Sequence, residues 1–109
     1  MSNVAMITTQ QFAAEVEEQA GPVVVDFTAS WCPPCKMLAP IFERVATKFD
    51  GKVKFYKVDI DQEVEVATKY GVQTIPNLLF FQAGQIVDQS VGFVNEAELS
   101  SKVDNLLSK

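Results

Sequence analysis

The sequence contains no histidine, and its only two cysteines stand three positions apart. Without histidine there is no Ser–His–acid or Cys–His catalytic arrangement and no His-ligated metal. Two thiols alone cannot close a four-ligand zinc site of the all-Cys or Cys/His type. Basic residues are few, 9 against 14 acidic ones for a net charge of −5, and they are scattered. A basic patch is therefore not expected, nor is nucleic acid as a partner. No apolar run nears the roughly 20 residues that span a bilayer, and no repeat or Pro/Gly/Ser-rich stretch divides the chain. The opening residues lack a basic stretch followed by an apolar one, the pattern of a secretory signal, so a cytoplasmic protein without membrane association is expected. The chemistry must use thiols, carboxylates, lysines or backbone groups.

A chain of 109 residues that is 48% hydrophobic fits one domain, residues 1–109, with a proper core. Thr8-x-x-Gln11 has the form of a capping box, and Phe12, Val16 and Ala20 follow at helical spacing until Gly21-Pro22. The β-branched run 23–27 reads as a buried strand with one charge, Asp26, inside it. Leu38, Ile41, Phe42, Val45 and Phe49 form the apolar stripe of a long helix, interrupted only by Pro40, which removes one hydrogen bond and shapes the helix. A strand is expected over 53–60, then a short helix capped by Asp61 and ended at Gly71. Strands over 78–82 and 85–91 flank Ala83-Gly84 as a hairpin, and Asn95 caps a last helix carrying Leu99, Val103, Leu106 and Leu107. With a short edge strand at the start, this order gives an α/β architecture: a central mixed β-sheet of four to five strands flanked by helices on both faces.

Cys32 and Cys35 lie where the strand gives way to the long helix. Positions i and i+3 share a helix face, so their sulfurs can meet without large backbone movement. The loop they close is small; in the chain-entropy model it adds about 2 kcal/mol, against ~3 for a 15-residue loop. In a reducing compartment that favours a redox role over a structural one. Cys32, at the helix N-terminus, has the better thiolate, so it is expected to be the nucleophile and Cys35 the resolving thiol. Pro33 and Pro34 suit the first helical turn and hold the two sulfurs in a fixed relation, but remove two N–H groups that could have faced Cys32. Asp26, in an apolar strand, should have its pKa raised by burial, which suits proton exchange near neutrality. Read alone, it could equally be a strand-end charge turned to solvent.

Val25-Asp26-Phe27, then Ala29-Ser30-Trp31-Cys32-Pro33-Pro34-Cys35-Lys36-Met37 and Ala39-Pro40, resemble the active-site region of the thioredoxin family. The resemblance continues through Lys57-Val58-Asp59, Tyr70-Gly71-Val72, Ile75-Pro76, Gly84 and Gly92, essentially the whole chain. It implies a thioredoxin fold and a thiol–disulfide oxidoreductase that reduces protein disulfides, with no bound cofactor beyond a redox-active Cys32–Cys35 disulfide. It further implies proton transfer by Asp26 to the resolving thiol, with Lys57 as the carboxylate's partner. Pro76 would be cis and face the cysteines, although only about 5–6% of X–Pro bonds in folded proteins are cis. Ile75 would offer its backbone to a substrate strand, and Trp31, Ile60, Thr74, Val91, Gly92 and Phe93 would complete the docking rim.

The implied partners are an NADPH- or ferredoxin-linked thioredoxin reductase and disulfide-containing targets such as peroxiredoxins and reductases, met by a monomer. Four positions depart from the commoner family pattern: the Pro33-Pro34 dipeptide, Thr28, Asn77 and Phe93. The first two give the motif the look of eukaryotic cytosolic members. Two other functions fit the same fold: a disulfide oxidase or isomerase domain, whose cysteine pair commonly encloses a histidine, and a non-enzymatic binding module.

Overall fold

A computed structural model describes residues 3–109; Met1 and Ser2, where the reading of the opening segment begins, lie outside the described residues. The elements run β1 (Val4–Met6), α1 (Thr9–Phe12) continuing into a π-helical turn (Ala13–Glu17), β2 (Pro22–Thr28), α2 (Pro33–Lys48), β3 (Lys54–Asp59), α3 (Val64–Lys69), β4 (Asn77–Gln82), β5 (Gln85–Val91) and α4 (Glu96–Leu107). The sheet order is β1-β3-β2-β4-β5; β1, β3 and β2 are parallel, and β4 and β5 are antiparallel to their neighbours. Helices cover both faces, which is the thioredoxin fold.

Each face owns a core. Phe42, Val45 and Leu38 of α2 and Leu99, Val103 and Leu106 of α4 pack against Val24, Phe55, Leu78 and Phe80. On the other face Phe12, Val16 and Val66 meet Val23, Val25, Phe27, Leu79 and Phe81. The strict alternation along β2 follows from the two-residue period of a strand, which sends neighbours to opposite faces. Each fully buried Phe or Leu is worth about 1.5–3 kcal/mol over exposure, so both faces are strongly held.

Local chemistry explains the boundaries. Thr8 and Gln11 make the reciprocal capping-box bonds. The helix they open ends sooner than the Phe12–Val16–Ala20 spacing suggests, its last turn widening before Glu18. Asp61 does not cap α3: Glu63 holds the N-cap position without a side-chain bond, while Asp59 accepts the Asp61 and Gln62 amides. Leu107, expected in the core, is half-exposed, and Leu106 takes the buried position. The β4–β5 turn places Ala83 at φ 53° and Gly84 at φ 76°, the left-handed pair of a two-residue hairpin. A Cβ on Gly84 would overlap the Glu17 carbonyl, so the hairpin tip sits directly against the end of the first helical segment.

Candidate active site

The C-terminal ends of β1, β3, β2 and β5 and the N-terminal end of β4 meet at one pole of the sheet. Parallel α/β sheets gather their ligands at the carboxyl ends of strands, and the cysteines are found there. β2 ends at Thr28, four residues cross over the pole, the last of them Cys32, and α2 begins at Pro33.

Cys32 and Cys35 form a disulfide with their Cα atoms 5.2 Å apart. Both are 3% exposed, so exposure does not separate them; their surroundings do. Cys32 is the N-cap of α2, its Sγ 3.3 Å from the Cys35 amide, which donates to it. Pro33 and Pro34 occupy the first two helical positions and carry no N–H, leaving the Cys35 amide as the donor that reaches the sulfur. Cys32 Sγ also lies 4.0 Å from the carbonyl oxygen of Ile75. Cys35 lines a cleft of about 260 Å³ with Met6, Thr28, Lys36, Lys57 and Asp59.

Asp26 is fully buried, and neither of its carboxyl oxygens has a hydrogen-bond partner among the described residues. Burial pushes its pKa up to about 7, while the positive charge of Lys57 pulls in the opposite direction. Lys57 is its register neighbour on β3 and acts through its charge without a hydrogen bond to the carboxylate. Asp26 thus turns inward rather than to solvent, as an acid poised to change protonation near neutrality.

The Ile75–Pro76 peptide bond is cis. Ile75 and Ile60 pack against the cysteine cluster, and the Pro76 carbonyl accepts the Gly92 amide at 2.8 Å, tying the end of β5 to the segment before β4. Exposed at this pole, beside Cys32 in sequence, at the end of β5 and just past it, are three large apolar side chains, Trp31 (63% exposed), Val91 (52%) and Phe93 (43%), with Thr74 exposed next to Ile75 in sequence. The Trp31 indole N–H donates to Asp61 Oδ2 at 2.6 Å, which fixes the ring on the surface. Sequence reasoning missed this use of Asp61, because nothing in the spacing from 31 to 61 signals the contact. Asn77, buried, accepts from the Gln89 side-chain amide.

Among the described residues no group of three His, Cys, Asp or Glu side chains comes together to hold a metal, and no helix is long and apolar enough to cross a membrane. A roomier cleft of about 500 Å³ lies at the opposite pole, lined by Pro22, Asp50 and Lys54 among others, and gathers no reactive thiol.

Comparisons with known proteins point the same way. The sequence model of the family described as Thioredoxin matches residues 3–105. Thioredoxin 1 of Nostoc sp. is 42% identical over 107 residues, covering 98% of this chain and all of that protein. Thioredoxin of Bacillus subtilis is 42% identical over 104 residues, 95% of this chain and 98% of that one. Thioredoxin H4 of Arabidopsis thaliana is 48% identical over 81 residues, 74% of this chain and 67% of its own length.

Proposed function

The chain belongs to the thioredoxin family, and from that premise we propose that it reduces disulfides in target proteins and is recharged by a thioredoxin reductase. The observation that carries this reading is the Cys32–Cys35 disulfide at the N-terminus of α2, supported by the buried Asp26 of β2 and by exposed apolar side chains at the same pole.

In the reduced protein the Cys32 thiolate attacks one sulfur of the target disulfide. A mixed disulfide forms and the other target sulfur leaves as a thiolate. Asp26 takes the proton of Cys35, whose thiolate then attacks Cys32 Sγ and releases the second target sulfur as a thiolate. The target gains two electrons, this protein loses two, and the state with Cys32 bonded to Cys35 is the product. Lys57 supports the Asp26 carboxylate before it takes that proton. The Ile75 backbone offers a strand edge to the target beside Cys32, with Trp31, Ile60, Thr74, Val91, Gly92 and Phe93 giving the rim that accepts apolar side chains.

The reading includes a monomer in a reducing compartment such as the cytoplasm, with disulfide-bearing targets such as peroxiredoxins and reductases. The Pro33-Pro34 pair and Thr28 support a eukaryotic cytosolic type of member. The deciding experiment is reduction of a protein disulfide by the purified chain, coupled in parallel to an NADPH- or ferredoxin-linked thioredoxin reductase and to glutathione. Turnover with a thioredoxin reductase is expected. No turnover with any of these donors would leave a binding module, and turnover with glutathione alone would move the protein to another branch of dithiol chemistry.

A further inference from the structure

Met6, Lys57 and Asp26 lie in one lateral row across three parallel strands: Met6 of β1 is in register with Lys57 of β3, and Lys57 with Asp26 of β2. Residues in register on parallel strands share a sheet face, here the face covered by α2. The row runs from a fully buried carboxyl at one end to a side chain 55% exposed at the sheet edge. The 260 Å³ cleft takes in the outer part of this row: Met6, Lys57 and Cys35 line it, Ala29 and Ala39 add apolar wall, and Asp26 lies beyond Lys57, outside its lining. Trp31, Ile75 and Phe93 of the proposed docking rim do not line this cleft. The cleft therefore brings solvent as far as Lys57, the register neighbour of Asp26, without crossing that rim.

We propose that Met6 is a positioning residue for the thiol–disulfide step, roofing the cleft through which solvent reaches Lys57 and Cys35 beside Asp26 and so setting how readily Asp26 takes the proton of Cys35. The proposal rests on the reading of Asp26 as the proton acceptor. Lys57 of β3 is the charge that acts on the carboxyl, and with it Asp59 of β3 and Cys35 and Lys36 of α2 are the titratable groups that line the neighbouring cleft. β1 contributes no charge, and the row continues through Leu78 of β4 and Ser90 of β5, neither of which titrates. Asp59 is engaged with the amides of Asp61 and Gln62.

Shortening Met6 admits water, with two opposed effects: the Asp26 carboxylate is better solvated, and the Lys57 charge is better screened. Burial acts on Asp26 more strongly than Lys57 does, so solvation wins and the carboxyl becomes more acidic.

The test is a carbon-13 NMR titration of the Asp26 carboxyl in the oxidised protein, paired with the pH profile of target reduction in the reductase-coupled assay. Met6→Ala should lower the Asp26 midpoint by about 0.5 or more and move the rising limb of the profile to lower pH in step. Met6→Leu, which keeps an apolar roof, and Met37→Ala, an exposed methionine away from the cleft, should both superimpose on the native protein. A Met6→Ala titration that superimposes on the native one overturns the proposal, as does a Met6→Leu shift equal to that of Met6→Ala, which would mark a general disturbance of the edge strand. Asp26→Asn separates the two levels: if the limb survives it, Asp26 is not the proton acceptor and the role of Met6 falls with it. If the limb vanishes while Met6→Ala leaves the native profile unmoved, only the role of Met6 is lost.

Discussion

The sulfur of Cys32 accepts the backbone N–H of Cys35 at 3.3 Å, the contact that a serine or aspartate oxygen makes at an ordinary helix N-terminus. Because prolines hold the two positions between, this amide is the first-turn donor available to stabilise negative charge on Cys32. The same contact that starts the helix also activates the thiol, so local folding and reactivity share one hydrogen bond.

Replacing Pro33 by Gly restores an N–H in that turn and loosens the backbone. The new donor favours the thiolate, and the loosening acts on both redox forms. For this two-electron couple 30 mV corresponds to about 1.4 kcal/mol, close to one hydrogen bond to a charged group. Pro33→Gly should therefore shift the redox potential by no more than a few tens of millivolts and leave a reductant. An equilibrium titration against glutathione that moves beyond roughly 100 mV would make the dipeptide the main determinant of redox poise.

Cys32→Ser should abolish disulfide reduction without weakening α2 relative to the reduced native protein, since serine is a preferred N-cap. Cys35→Ser should instead accumulate mixed disulfides with targets, visible on non-reducing gels. In the reduced native protein, iodoacetamide at neutral pH should modify Cys32 first; faster labelling of Cys35 would reverse the two roles.

Asp26→Ala should stabilise the protein in a pH-dependent way. The folded pKa, about 7, lies above the ordinary value of 3.8. Below about pH 4 both folded and unfolded chains keep the proton and no penalty exists. Between roughly pH 4 and 7 the unfolded chain ionises while the folded one does not, so native stability falls as pH rises, then levels. The whole displacement is worth about 4 kcal/mol. Urea denaturation should show the advantage of the variant growing from pH 4 to pH 8; an advantage that does not change with pH would rule out a buried carboxyl.

Gly84→Ala meets two obstacles, a left-handed φ of 76° and the Glu17 carbonyl in the space a Cβ needs. The conformation alone costs about 1–2 kcal/mol, so more than ~2 kcal/mol is expected, a fall in Tm of roughly 8 °C or more. Gly51→Ala is the comparison: its φ is 81°, but nothing lies within 4 Å of the added carbon. Thermal melts should rank Gly84→Ala clearly below Gly51→Ala; equal losses would show that the contact with Glu17 gives way freely.

Asp61→Ala releases the indole of Trp31, the single tryptophan of the chain. Its fluorescence should change and its ring lose its fixed position, weakening kcat/KM for protein disulfides by a few fold while a small disulfide, which needs no rim, is reduced as before. Equal loss for both substrates would place Asp61 in the chemistry rather than the docking surface.

Much of this fold is readable in sequence because its elements are locally self-consistent. The capping box at Thr8, the apolar stripe from Leu38 to Phe49, the Ala83-Gly84 turn and the Asn95 cap each carry their own signal, and each is made by residues within a few positions. The cysteine pair is legible for the same reason. Contacts between distant segments are not. The Trp31–Asp61 bond spans 30 positions, and the register that aligns Met6, Lys57 and Asp26 joins three separate strands. Asp61 illustrates the conflict: its composition suits a helix cap, but the indole N–H claims it and Asp59 serves the nearby amides instead. Leu107 likewise shares the spacing of its helix yet is its last residue, at the margin of the buried stripe that Leu99, Val103 and Leu106 hold.

The concentration of reactive groups at one pole of the sheet leaves the other pole, at the Gly21 and Gly51 loops, free for engineering. No heavy atom lies within 4 Å of the carbon that a side chain would add at either glycine, and exposed loop tips of this kind accept insertions best. A reporter peptide or a second domain spliced in after Gly51 would hang from the far end of β3, a full strand length from Asp59. The cysteine couple would keep its surroundings, making the chain a compact redox head that can be tethered without touching its working face.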